Sequence, residues 1–130
     1  MYPFDVITSN PPYITRTEYK RLPHSVKYYE DPLALIGEAP VPRHPTSSAI
    51  DTQCSVVDTA GLAFYRRITN LMIIDQSLVQ PGGNVVFEVG INQAAAVREL
   101  LSQALRDRAD FIHIWKDASG IERVVRAKLL

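Results

Sequence analysis

The chain has 130 residues, enough for one domain and too few for two of ordinary size. Apolar residues make up 46% of it and charged residues 22%, a balance that excludes a disordered or fibrous polymer and sets the expectation of a packed fold. Lys plus Arg number 14, as do Asp plus Glu, so no overall positive field is available for counterion release, and direct nucleic-acid binding is not expected.

Cys54 stands alone, which rules out an intrachain disulfide and a cysteine-based zinc framework and fits a reducing compartment. No apolar run approaches the roughly 20 residues of a membrane-spanning helix, so no membrane partner is expected. Met1 to Asn10 lack the pattern of a secretory or transit peptide. Tyr2 to Thr8 already has the character of a core strand, so the chain is expected to start inside a fold.

In chain order, Phe4-Asp5-Val6-Ile7-Thr8 predicts a buried strand that stops where Pro11 and Pro12 remove ladder donors. From Tyr13 to Val57 the pattern is irregular and predicts a long connection, within which residues 38–55, rich in Pro, Ser and Thr, are expected to be a loop insertion. Asp58 or Thr59 is expected to cap a helix carrying Phe64, Ile68, Leu71, Met72, Leu78 and Val79, ending at Pro81-Gly82-Gly83. Asn84 to Val89 predicts a strand covered on both faces. Asn92 is expected to open a second helix with an apolar stripe of Val97, Leu100, Leu101, Ala104 and Leu105. Phe111 to Trp115 and Glu122 to Leu130 predict an antiparallel hairpin turned by Gly120. The order defines an α/β sheet, parallel at first and closed by an antiparallel edge hairpin.

Ser9-Asn10-Pro11-Pro12-Tyr13 falls at the carboxyl end of the first strand, where open α/β sheets bind ligands. The Asn10 side chain offers both an amide donor and a carbonyl acceptor and so suits a substrate bearing an NH2 group. A backbone stiffened by two prolines can aim the Pro11 carbonyl at the same nitrogen, while Tyr13 supplies a flat wall. Two acceptors on one nitrogen orient its lone pair toward an incoming methyl group without a strong base. A stiff but inert corner is the alternative.

Further segments extend the pattern. Phe4 to Ile14 resembles the Asn-Pro-Pro-Tyr segment of the HemK-like glutamine N5-methyltransferases. Tyr29-Glu30, Pro32 and Ala34-Leu35-Ile36-Gly37 resemble that family's Glu-Pro and Ala-Leu-x-Gly segment, and Gly61 to Arg66 the start of its next helix. Leu78 to Gly83, Phe87-Glu88-Val89-Gly90 and Gln93 resemble its following strand, and Asp117, Gly120 and Arg123-Val124-Val125 its closing hairpin.

The resemblance implies the C-terminal part of a Rossmann-like class I methyltransferase sheet, with residues 1–130 forming a partial catalytic domain. It implies S-adenosylmethionine as cofactor and a peptide chain release factor, methylated on the Gln of a Gly-Gly-Gln loop, as partner. Asn10 and Pro11 would hold the reacting amide, Pro12 and Tyr13 would shape the pocket, and Asn10 would stand at the edge of the cofactor site. Three departures accompany it. The family's glycine-rich cofactor loop and ribose-binding acid precede the Asn-Pro-Pro-Tyr strand, Asp31 is inserted between Glu30 and Pro32, and Glu38 replaces a common Gly. From the first of these the chain is expected to be inactive alone, with its first strand an exposed edge; saturable S-adenosylmethionine binding would contradict that.

Two other functions stay open. An adenine-N6 or similar nucleobase methyltransferase needs the same grip on an exocyclic NH2, and a non-catalytic, truncated methyltransferase-like domain would keep the fold alone. The long insertion favours a mitochondrial location slightly over a cytoplasmic one.

Among remaining candidates, Glu30 and Asp31 form either a carboxylate pair or a solvated loop, and Glu88 either faces a ligand or bonds backbone donors. Gln93 is expected to cap or pack at the helix start. His24, His44 and His113 lack metal-ligand spacing, Arg16, Arg21, Arg43, Arg66 and Arg67 suit solvated faces or an acidic partner, and Phe111 and Trp115 are assigned to the core.

Overall fold

The computed structural model describes residues 3–38 and 60–130. Its order is β1 (Phe4–Ser9), α1 (Arg16–Arg21), α2 (His24–Tyr29), α3 (Pro32–Leu35), α4 (Ala63–Ile74), β2 (Val79–Glu88), α5 (Ala94–Leu105), a 3-10 turn (Arg106–Arg108), β3 (Ala109–Lys116) and β4 (Glu122–Leu129). The strands form one sheet in the order β1-β2-β4-β3. β1 runs parallel to β2, and β4 is antiparallel to both of its neighbours. The expected α/β class, parallel at first and closed by an antiparallel hairpin, is borne out.

The period of two along the strands builds the core. Val85, Phe87 and Val89 of the β2 segment and Val125, Ala127 and Leu129 of β4 are buried together with Val97, Leu101, Ala104 and Leu105 of α5 and Tyr65 and Met72 of α4. Burial of each of the Val, Leu, Phe and Met side chains among these is worth about 1.5–3 kcal/mol, which explains why the apolar stripe of α5 settles on this face. The alternate residues face the other way. Phe4 and Val6 on β1 and Phe111 and Trp115 on β3 are all substantially exposed.

That asymmetry corrects three expectations. β1 is an edge strand of the described sheet, as the resemblance implied, but it is not a buried strand: of its apolar residues Ile7 packs against the core while Phe4 and Val6 do not. β2 is buried on one face only, because Asn84, Val86 and Glu88 stay partly open. Phe111 and Trp115 are not core residues. The Arg126 guanidinium lies over both rings, at 5.4 and 5.7 Å from their centroids, and is fixed by Nε and Nη2 bonds to the Asn84 Oδ1 at 3.0 and 2.8 Å.

Helix boundaries also shift. α4 stops at Ile74 because the Asp75 carboxylate accepts from the Ser77 amide and hydroxyl at 3.0 and 2.6 Å, a local turn that competes with helix. Val79 therefore joins β2, and Pro81-Gly82-Gly83 lies inside that strand, where the β1–β2 register slips between the Phe4 and Val6 pairings. Gly82 takes a φ of +76° there, as an irregular strand step requires. The expected caps Asp58 and Thr59 and nearly all of the expected insertion at residues 38–55 lie outside the described residues; α4 itself starts after Leu62 without a side-chain cap. α5 starts at Ala94 rather than Asn92, whose φ of 64° turns the chain into it.

Within the stretch expected to be irregular, three short helices form. Thr15 and Glu18 make a reciprocal capping box for α1, and the Asp31 carboxylate accepts from the Leu33 amide at 2.8 Å to start α3.

Candidate active site

β1 delivers Asn10, Pro11, Pro12 and Tyr13 to the carboxyl end of the parallel pair. The chain then returns as an isolated parallel bridge between Ile14 and Ile36, in which the Ile14 amide donates to Leu35 O and the Gly37 amide to Ile14 O, both at 3.0 Å. The capped helices between them thus fold the connection back over the loop it leaves. A cleft of about 230 Å3 opens there, lined on one side by Asn10, Pro11, Pro12 and Tyr13 and on the other by Glu30, Ala34 and Leu35.

Pro11 is buried and Asn10 exposed, so the rigid part of the corner is embedded and the carboxamide stands at the mouth. Among the described residues no side-chain hydrogen bond engages Asn10. Its donor and acceptor are left available to whatever enters the cleft.

Glycines allow the surrounding backbone to close on this loop. A Cβ at Gly37 would fall 2.7 Å from Tyr13 Cα and would also strike the Pro12 carbonyl oxygen. At Gly90 it would lie 2.8 Å from Tyr13 Cδ2. Gly61, at φ +70°, would carry its Cβ into the Tyr13 carbonyl.

The Tyr13 hydroxyl is raised above its ordinary pKa by burial first and then by the negative charge of the Glu88 carboxylate, while Arg123 opposes the shift. Tyr65, also raised by burial first, donates from its hydroxyl to the Glu88 carbonyl at 2.7 Å. The charge of the Glu88 carboxylate is thus felt at Tyr13, and its main-chain carbonyl is held by Tyr65. Arg123 is positioned by an ion pair with Asp117 at 3.1 Å. The closing hairpin therefore reaches the site electrostatically, through Arg123.

Other candidates separate. Glu30 lines the cleft while Asp31 caps α3, so the two acids do not act as a pair. Glu38, the unexpected acid, pairs with Arg16 at 3.2 Å across the start of α1. Gln93 is the N-cap residue of α5 and packs at the helix start, as expected; its side-chain amide makes no cap bond and instead bonds to Gly90, Tyr13 and Ala60. Among the described residues no group of His, Cys, Asp and Glu could hold a metal ion. No described helix is long and apolar enough to cross a membrane.

The cleft is smaller than the roughly 300 Å3 at which ligand pockets usually begin.

The sheet and the loop at the carboxyl end of its parallel strand define an α/β protein with a loop where such sheets bind ligands. Within that class it is similar to the release factor glutamine methyltransferases. It is 32% identical over 126 residues to the release factor glutamine methyltransferase of Clostridium acetobutylicum, covering 95% of this chain and 34% of that protein. It is 32% identical over 124 residues to that of Enterococcus faecalis, with 95% and 36% covered, and 33% identical over 127 residues to that of Bacteroides thetaiotaomicron, with 95% and 36% covered. The chain thus spans about a third of the length of the curated relatives it matches. The resemblance drawn from its motifs is borne out.

No family model matches the chain. A solved protein-(glutamine-N5) methyltransferase (release factor-specific) from Alicyclobacillus acidocaldarius matches 53% of this chain and 40% of its own at 33% identity, with a TM-score of 0.45.

Proposed function

We propose that the protein contributes the amide-binding part of a methyltransferase that uses S-adenosylmethionine to methylate the side-chain nitrogen of a Gln in a peptide chain release factor. The observation that carries this is Asn10 at the mouth of a cleft of about 230 Å3, with Pro11 in its lining, in a chain 32% identical over 95% of its length to a release factor glutamine methyltransferase. The Asn10 side-chain oxygen and the Pro11 carbonyl each accept one N–H of the substrate amide. This holds the nitrogen in place and presents its lone pair to the methyl donor, a gain of proximity and orientation. Tyr13 and Pro12 wall the amide plane, and the Tyr13 hydroxyl, kept protonated by burial and by Glu88, adds no competing charge. S-adenosylmethionine supplies the electrophilic methyl group when bound. Residues 1–130 are read as part of one catalytic domain.

A protein substrate is favoured over a nucleobase by the zero net charge of the chain. The compartment is read as one in which translation terminates; the relatives reported are bacterial, which supports no mitochondrial preference. The test supplies the protein expressed from its natural gene with methyl-labelled S-adenosylmethionine, a release factor bearing Gly-Gly-Gln, the same factor with that Gln changed to Ala, and adenine-containing DNA. Label on the first alone is expected. Label on the DNA, or on both factors equally, would overturn the proposal.

A further inference from the structure

We infer that Gln93 is a positioning residue for the amide-binding loop, acting through the Tyr13 carbonyl; this rests on the function proposed above. The Gln93 amide is used to capacity. Its Oε1 accepts from the Gly90 amide at 3.0 Å, and its Nε2 donates to the Tyr13 carbonyl at 2.9 Å and to the Ala60 carbonyl at 2.7 Å. One acceptor and two donor hydrogens join three segments far apart in sequence, and no rotation of the amide preserves all three bonds.

The base of this side chain is itself fixed. The Gln93 amide donates to Gly90 O at 3.2 Å and its carbonyl accepts from the Val97 amide at 3.0 Å, so the residue is part of the first turn of α5, whose Val97 and Leu101 are in the core. Space around the side chain exists only because two neighbours are glycines. A Cβ at Gly90 would lie 2.8 Å from Gln93 Oε1, and one at Gly61 would lie 2.9 Å from Nε2.

Between the anchored Tyr13 carbonyl and the Pro11 carbonyl lie only the backbones of Pro12, whose ring fixes φ, and of Tyr13 itself. Little slack separates the anchor from the acceptor that grips the substrate. A displacement of about 1 Å at a reacting group can cost on the order of 100-fold in rate, so the anchor is felt in turnover more than in substrate affinity.

Gln93→Ala removes all three bonds, and Gln93→Glu keeps the volume and the acceptor for Gly90 while turning an oxygen toward two carbonyls. Both are made in the protein expressed from its natural gene. Turnover is measured with the release factor, and amide exchange is followed at Ile14 and Gly37 in the loop and at Val89 in the sheet. For both variants kcat is expected to fall roughly 10- to 100-fold, with KM for the release factor changed less than about threefold. Exchange should quicken at Ile14 and Gly37 and stay slow at Val89. Loop exchange unchanged in Gln93→Glu, or faster loop exchange with kcat intact, would overturn the inference. A wild-type protein that transfers no methyl group would overturn the proposed function instead, and the exchange arm would still decide whether Gln93 anchors the loop.

Discussion

The Tyr65 hydroxyl donates to the main-chain carbonyl of Glu88 at 2.7 Å, tying α4 to the carboxyl end of β2 directly behind the Asn-Pro-Pro-Tyr loop. Tyr65 is fully buried and packs at 5.8 Å between centroids against Phe87. Tyr65→Phe preserves that packing but strips the carbonyl of a donor, so a loss of about 1–2 kcal/mol is expected. Urea denaturation would show it as a lower midpoint at constant slope. A midpoint equal to that of the wild type would mean water replaces the hydroxyl at no cost.

Asn10 contributes to no described side-chain hydrogen bond, so its removal leaves the fold alone and acts on chemistry. Asn10→Ala is expected to lower methyl transfer to the release factor by roughly 100- to 1,000-fold, the scale for losing one preorganised hydrogen-bonding group. Thermal stability should stay within about 0.5 kcal/mol of the wild type, as for surface changes generally. Equal turnover in the variant and the wild type would remove Asn10 from the reaction.

Gly37 is held where a side chain would meet main-chain atoms of Pro12, Tyr13 and Gly61, none of which can swing aside like the end of a flexible side chain. Gly37→Ala is expected to destabilise by about 1–3 kcal/mol through overpacking and to lower methyl transfer as the loop is pushed off its bridge. Gly120→Ala is the control, with nothing near its Cβ but a φ of +79°; it should cost about 1 kcal/mol and leave turnover unchanged. If the two variants lost activity alike, crowding at the loop would not be the cause.

The strands and the apolar stripe of α5 were legible in the sequence because one strongly buried face imposes a period, and that period is written in residues such as Val85, Phe87, Val125 and Ala127. The loop at Asn10 was legible because diproline stops a strand wherever it occurs. α1 to α3 were missed although Thr15-x-x-Glu18 and Asp31-Pro32 are start signals, since helices of four to six residues bury too little to show a stripe. The exposure of Phe111 and Trp115 is not legible in their hydrophobicity, because Arg126 and Asn84 create a polar setting for both rings on the open face. The role of Gln93 had no local signature. Its partners lie 3, 33 and 80 residues away, and only the fold brings them together.

Arg126 is the centre of that open face. A lysine keeps the charge but cannot lie flat over Phe111 and Trp115 while forking onto Asn84. Arg126→Lys is therefore expected to cost about 1 kcal/mol. Trp115 is the single tryptophan of the chain, so its fluorescence reports the change without ambiguity. An emission spectrum identical to that of the wild type would show that the guanidinium does not rest on the ring in solution.

Asp117 organises the hairpin turn from a single carboxylate. Oδ1 accepts from the Ser119 and Ile121 amides at 2.8 and 3.0 Å, and Oδ2 pairs with Arg123 at 3.1 Å. The Ile121 backbone bond first, then the Arg123 side chain, hold its pKa below the ordinary aspartate value of 3.8. Because the folded state binds this proton more weakly than the unfolded chain, the carboxylate stabilises the fold fully above the unfolded value. That stabilisation is lost as pH falls through the lower folded value, in a window that opens near pH 4 and extends downward. Asp75, lowered by its bonds from Ser77, titrates in the same direction, so the total acid slope does not isolate Asp117. The difference between wild type and Asp117→Asn does. It should be largest near neutrality and shrink steadily below about pH 4, since only the wild type has a charge there to lose. Denaturation midpoints measured from about pH 7 to about pH 2.5 would settle the point, and a difference independent of pH would assign the turn to neutral hydrogen bonding rather than to the ion pair with Arg123.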